Sequence, residues 1–129
     1  MASPKIPRDI RSYLVNTTGL SDVSINTLSP SPINQYAVIE YPGQTNIKTH
    51  GSVPKIDMAN IQIMARHTSA ETAQTNIYAV VDALDGLSDF VVNGVTYLYV
   101  TEISRPRVLT HEESGAVVFV WEAAVYARR

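Results

Sequence analysis

The sequence contains no cysteine among its 129 residues. This absence excludes a disulfide framework, a cysteine nucleophile and any metal site built on thiolates. Charge is sparse too, since Lys, Arg, Asp and Glu make up 17% of the chain, and the composition therefore lacks the charge-rich signature of a disordered protein. Ten basic and twelve acidic residues give a net charge of -2, and this near balance argues against bulk binding of nucleic acid.

Long apolar runs are absent as well. No stretch is long enough to cross a bilayer, and the first 14 residues lack the continuous apolar core of a secretory signal. We therefore expect no membrane partner. What is present is a hydrophobic share of 45%, which is enough for one core, and we expect a single domain over residues 1–129.

Two segments have the apolar spacing of a helix. The first covers residues 6–15, with a proline in its first turn and Gly19 as a stop. The second covers residues 69–85, where Thr68 and Glu71 have capping-box spacing. Its apolar stripe consists of Ala70, Ala73, Ile77, Val80, Val81 and Leu84.

Strand patterns fill most of the remaining chain. Residues 35–41 form a short apolar run, and residues 59–66 alternate between apolar and polar side chains. Residues 88–103 predict a hairpin, because Asn93-Gly94 is the preferred pair for a type I′ turn. Residues 115–127 are apolar on both faces, which is typical of a central, doubly covered strand.

Three polar segments, residues 16–34, 42–57 and 104–114, are predicted to be loops. The element order is then helix, loop, strand, loop, strand, helix and a three-strand meander. This order predicts an α+β fold, with a mostly antiparallel sheet of four to five strands. One main helix and a short N-terminal helix would pack on one face of that sheet.

The residues that could carry chemistry do not form a recognisable constellation. Of the three histidines, only His111 lies beside carboxylates, at Glu112 and Glu113, and adjacent loop residues usually point apart. His67 falls at a strand-to-helix junction, where a capping role is the simpler interpretation. We therefore expect neither a catalytic site nor a metal or cofactor site.

The two long loops at 42–57 and 104–114 are the predicted contact surfaces, because loops of this length in compact domains are usually functional or disordered. Arginine and tyrosine are also enriched where proteins meet. The candidate interface residues are Lys48, His50, Lys55, Arg105, Arg107, Glu112 and Glu113.

Five motifs follow one another along nearly the whole chain: DIRSYL at 9–14, AVIEY at 37–41 followed by Pro-Gly, IQIMAR at 61–66 with the helix after it, ISRPR at 103–107 and the final strand ending in WEA at 121–123. The order of these motifs resembles the tail terminator and minor capsid (head–tail joining) proteins of long-tailed bacteriophages.

The resemblance implies a non-enzymatic virion protein that caps the head-proximal end of the tail tube as a hexameric ring. Such a protein stops tube growth and mediates head–tail joining. Its implied partners are further copies of itself, the tail-tube protein and a head-completion or connector protein. Its implied location is the tail neck of the virion, after assembly in the host bacterial cytoplasm.

Other functions stay open at this point, because one architecture hosts many functions. The chain could be another neck or head-completion protein, or a small cellular protein-binding module. A small hydrolase with His67 or His111 as its base is a further hypothesis, and a histidine beside a carboxylate in a pocket would support it.

The charge balance yields a prediction about DNA. Six copies at -2 each would give a ring with a charge of -12, which repels a duplex. We expect no duplex binding by the isolated protein at physiological salt, as measured by a fluorescence anisotropy titration. A micromolar or tighter dissociation constant that weakens as salt rises would contradict this expectation.

Overall fold

The computed structural model describes residues 5–30, 32–41, 45–48 and 55–128. This part of the chain contains two helices, α1 (Ile6–Thr18) and α2 (Ala70–Leu84). Its seven strands are β1 (Val23–Ile25), β2 (Gln35–Glu40), β3 (Thr45–Lys48), β4 (Lys55–His67), β5 (Ser88–Val92), β6 (Val95–His111) and β7 (Val117–Arg128). Neither helix is long and apolar enough to span a membrane.

All seven described strands belong to one sheet in the order β1-β2-β4-β7-β6-β5, with β3 pairing to β4 beyond β2. Only the β1–β2 pair is parallel, and the other pairs are antiparallel. The predicted α+β class is confirmed, although the sheet has more strands than the predicted four to five. The extra strands β1 and β3 are short and lie in polar stretches, where alternation is too brief to be recognised.

Helix α1 begins where it was predicted and runs one turn further, to Thr18. Gly19 then takes the left-handed conformation at φ 76° that ends many helices. Helix α2 matches the prediction closely. Its N-cap is Ser69, which accepts a hydrogen bond from the Thr72 backbone N–H at 3.3 Å, and so the predicted cap at Thr68 is wrong by one residue.

The core lies between one face of the sheet and the two helices. The buried residues of both helices belong to the same apolar cluster as the buried residues of β4 and β7. Strand β4 has the predicted alternation, with its apolar side chains buried at Ala59, Ile61, Ile63 and Ala65. Strand β7 is central, between β4 and β6, as its two apolar faces predicted. The buried stripe of α2 consists of Ala73, Ile77, Val80 and Leu84, whereas Ala70 is exposed and Val81 is only half-buried.

All three segments predicted as loops contain strand residues, and β1 lies within residues 16–34. In residues 42–57, β3 pairs with the start of β4 in a ladder that ends at Lys48 opposite Lys55. In residues 104–114, β6 continues to His111 against β7. This segment was predicted as a loop because it is polar and charged, but pairing with β7 makes it a strand. Pro106 is accommodated in a bulge at an edge, where no ladder hydrogen bond from its nitrogen is required.

Strand β6 is longer than the segment of β7 with which it pairs. Its residues 97–111 lie opposite residues 117–127 of β7, and four register shifts take up the four additional residues. Because each bulge adds one residue, it reverses which face the following side chains occupy. A regular strand would bury Tyr99 on the same face as Val95 and Tyr97, but after the first bulge Tyr99 is exposed and Val100 is buried.

The packing predicts a large effect of one core substitution. Leu84 is fully buried at the end of α2, and Leu84→Ala should lower the free energy of unfolding by about 2–5 kcal/mol. Urea denaturation followed by circular dichroism measures this change. The control is Val91→Ala, since Val91 is 67% exposed and its loss should cost less than about 0.5 kcal/mol. Equal effects of the two variants would contradict this account of the core.

Candidate interaction surface

The histidines predicted as possible bases have ordinary structural positions. His67 Nδ1 accepts a hydrogen bond from the Ser69 backbone N–H at 2.9 Å, which agrees with the predicted capping role. His111 is exposed at the end of β6, and the carboxylate of Glu112 bonds to Arg66 instead. His50 lies outside the described residues. Among the residues that the structure describes, no group of acidic and histidine side chains is arranged to hold a metal ion.

Arg66 is a structural residue that sequence reasoning missed, because alternation placed it on the polar face of β4. Its side chain is 6% exposed and donates to the carbonyls of Ile33 at 2.7 Å, Pro32 at 3.1 Å and Ser29. Its other nitrogen lies 3.4 Å from Glu112 Oε2. The guanidinium therefore links the segment before β2 and the turn after β6 to the end of β4.

A second buried polar cluster surrounds Asp9 of α1. The Asp9 carboxylate is fully buried and accepts hydrogen bonds from Asn93 Nδ2 at 2.9 Å and from the Tyr97 hydroxyl. Arg8 forms an ion pair with it at 2.9 Å. Burial raises the pKa of Tyr97, and its hydrogen bond to the Asp9 carboxylate raises it further. This cluster ties α1 to the β5–β6 hairpin and leaves the carboxylate fully engaged.

The face of the sheet opposite the helices carries one ion pair at its centre. Arg107 Nη2 lies 2.7 Å from Glu122 Oε1, and Arg107 Nη1 donates to Ser104 Oγ at 2.9 Å. Desolvation acts to raise the pKa of Glu122, but hydrogen bonds from Arg107, Tyr41 and Gln62 outweigh it and lower that pKa. This pair connects β6 to β7 across the bulged part of their ladder.

The second half of β6 presents an open edge. Pairing between β5 and β6 ends at Ser88 opposite Tyr99, and beyond this point no described strand lies along the outer side of β6. Three large apolar side chains on this stretch are strongly exposed: Ile103 at 51%, Val108 at 44% and Leu109 at 47%. Exposed apolar groups on an unpaired edge are typical of a contact surface.

The six predicted interface residues that the structure describes fall into two groups. Lys48 and Lys55 are paired in register at the end of the β3–β4 ladder, next to the pairing of Ile56 with Arg128. The other group lies on β6 and the turn after it, where Arg107 is opposite Val120. Eight residues of β7 separate these two positions, which corresponds to about 26 Å at 3.3 Å per residue.

Within the second group, some side chains are exposed and others form ion pairs within the chain. Arg105 and Glu113 are exposed. Arg107 and Glu112 are engaged inside the chain by Glu122 and Arg66. No signal in the sequence distinguished these two kinds of residue, because the partners lie on other strands.

Comparison with known proteins gives a family match and a structural match. Residues 8–127 match a family model described as bacteriophage tail terminator protein. Among curated proteins, none matches this sequence. A solved chain from "Virion of native gene transfer agent (GTA) particle" has the same fold, with a TM-score of 0.62 and 15% identity, covering 96% of this chain and 95% of that chain.

The Arg107–Glu122 pair predicts a pH dependence of stability. The pKa of Glu122 is lowered below its ordinary value of 4.5 in the folded state. The ionised Glu122 carboxylate therefore contributes its full stabilisation of the folded state above about pH 4.5. This contribution is lost as the pH falls through the folded-state pKa of Glu122. Glu122→Gln should cost up to about 1 kcal/mol at pH 7, and this difference from the natural chain should shrink towards pH 3.

Urea denaturation between pH 3 and 7 measures the difference. Arg107→Gln serves as the matched variant, since it removes the same ion pair, and the double variant should cost little more than either single one. A difference that is constant over the whole pH range would show that the carboxylate does not contribute through its charge.

Proposed function

Because the chain belongs to the bacteriophage tail terminator protein family, we propose that it closes the head-proximal end of the tail tube as a six-membered ring. In this proposal the ring stops tube growth and offers the surface to which the head is joined. The chain is a structural component of a phage tail, and it performs this role without catalysis. Its proposed location is the tail neck, after assembly in the host bacterial cytoplasm.

The observation that carries the proposal is the family match over residues 8–127, nearly the whole described fold. Two features of the fold support it. The chain has an open edge at β6, and it has a separate hairpin at β3–β4 on the other side of β7. A closed ring needs two different contact patches on each copy, since its contacts are head-to-tail.

The partners follow from the same proposal. They are further copies of this chain, the tail-tube protein and a head-completion or connector protein, with no cofactor, membrane or duplex DNA. We assign residues 42–57 and the sheet edge to one subunit contact, and helix α2 or residues 104–114 to the other. The residues proposed for these contacts are Lys48, His50, Lys55, Arg105, Arg107, Glu112 and Glu113.

Polymerisation of the cognate tail-tube protein with and without this protein tests the proposal. We expect the protein to bind one end of each tube and to stop elongation, so that electron microscopy shows shorter tubes with an end ring. Tubes of unchanged length and bare ends would contradict the proposal. Binding to the head connector alone would assign the chain to another position in the neck.

The charged hairpin gives a sharper prediction in the same assay. Replacing Lys48, His50 and Lys55 together with glutamate reverses the charge that these residues bring to the β3–β4 hairpin, and it should abolish capping. Circular dichroism should be unchanged, because Lys48 and Lys55 lie at the end of a ladder. The matched control, Lys48→Arg with Lys55→Arg, keeps the charge and should cap normally. Normal capping by the triple glutamate variant would remove the hairpin from the interface.

A further inference from the structure

The open part of β6, residues 102–111, is poorly suited to accept another strand. Its ladder with β7 is interrupted between Glu102 and Ser104, between Ser104 and Arg107, and between Val108 and Thr110. Pro106 lies in the second interruption and has no N–H to donate. Bulges and proline protect sheet edges from strand addition. A partner of this edge is therefore held by side chains rather than by a continued backbone ladder.

The side chains on this edge combine apolar area with one free positive charge. Ile103 and Leu109 are the additional residues of two bulges, and they are 51% and 47% exposed. Arg105 is exposed between them, whereas the neighbouring Arg107 is held by Glu122. We refer to Ile103, Arg105, Val108 and Leu109 as the β6 edge patch. Because of its bulges, the patch lies within the stretch of β7 from Val118 to Ala123, which is about 16 Å at 3.3 Å per residue.

The outer side of α2 carries acidic side chains, whose charge is opposite to that of Arg105. Glu71, Thr75, Tyr78 and Asp82 are spaced at i, i+4, i+7 and i+11, so they lie along one stripe of the helix, and all four are exposed. Tyr78, the large side chain of this stripe, is 38% exposed. The stripe is about 16 Å long at 1.5 Å per residue, which is close to the length of the β6 edge patch.

The charges of the two surfaces are opposite. Residues 67–104 contain no lysine or arginine, but they contain five acidic residues: Glu71, Asp82, Asp85, Asp89 and Glu102. Two of these are occupied inside the chain, since Glu102 accepts from Trp121 Nε1 at 2.8 Å and Asp85 accepts from the Glu102 N–H at 3.1 Å. The acids of the α2 stripe, Glu71 and Asp82, remain on the outer surface.

We propose that the β6 edge patch of one copy packs against the α2 stripe of the next copy around the ring. Leu109 contacts Tyr78, and Arg105 pairs with Glu71 or Asp82, depending on the direction in which the strand crosses the helix. Complementary charge then fixes the register of the contact. This inference rests on the ring of the proposed function. Of the patches named there, it pairs the sheet edge at β6 with α2, and it does not depend on residues 42–57.

Charge exchange tests the pairing. Arg105→Glu should reduce ring formation on tube ends at least tenfold in the protein concentration required. One of the two combinations, Arg105→Glu with Glu71→Arg or Arg105→Glu with Asp82→Arg, should restore it. Lys5→Glu is the matched control, because Lys5 is exposed on another part of the chain. Normal assembly by Arg105→Glu, or failure of both combinations to restore assembly, would overturn the inference.

The absence of cysteine allows a second test that does not depend on capping. Leu109→Cys and Tyr78→Cys are prepared as separate proteins and mixed under mild oxidation at high concentration. We expect disulfide-linked dimers only in the mixture. Linked dimers of Leu109→Cys alone would indicate an edge-to-edge contact, and no linkage would indicate no contact. Either result contradicts the inference.

The two tests also separate this inference from the proposed function. If the natural chain caps tubes but mixed dimers do not form, the subunit contact is wrong and the capping role stands. If mixed dimers form but no tube is capped, the contact stands and the capping role is wrong.

Discussion

The antiparallel pairing of β4 with β7 is the constraint on which the other elements depend. It joins twelve residue pairs, from Ile56 opposite Arg128 to His67 opposite Val117. The Ile63–Trp121 pair lies near its middle and is fully buried. Because this ladder is long and α2 packs on its core face, it fixes the position and direction of every neighbouring element. Strands β2 and β3 attach to one side of it, and β6 attaches to the other.

The elements around this ladder are secured by buried polar side chains as well as by apolar packing. Asp9 binds α1 to the β5–β6 hairpin, and Arg66 binds the segment before β2 to the end of β4. Removing one partner from such a cluster leaves a buried group unpaired, which costs about 1–3 kcal/mol or more. These two residues give the peripheral segments defined positions.

The bulges of β6 connect the fold to the proposed assembly. A regular strand opposite β7 would direct every second side chain to the core face of the sheet. Two of the four register shifts instead expose Ile103 and Leu109 while the strand stays paired with β7. The same irregularity discourages uncontrolled addition of strands. A virion protein needs both properties, because it must meet defined neighbours without aggregating through its sheet edge.

The sequence by itself determined the elements whose signals are local. Helix α2, the alternation of Ile61 and Ile63, the Asn93-Gly94 turn and the doubly covered β7 were all predicted, because spacing and turn chemistry act within a few residues. The order of its motifs also identified the tail terminator family. Tertiary structure decided the rest. Segments containing Lys48 and Pro106 became strands because β4 and β7 offered them long partners, and Arg66 and Asp9 were buried because distant residues satisfied them. Which candidate contact residues are free, such as Arg105, and which are occupied, such as Arg107, depends on neighbours in space that a local pattern does not contain.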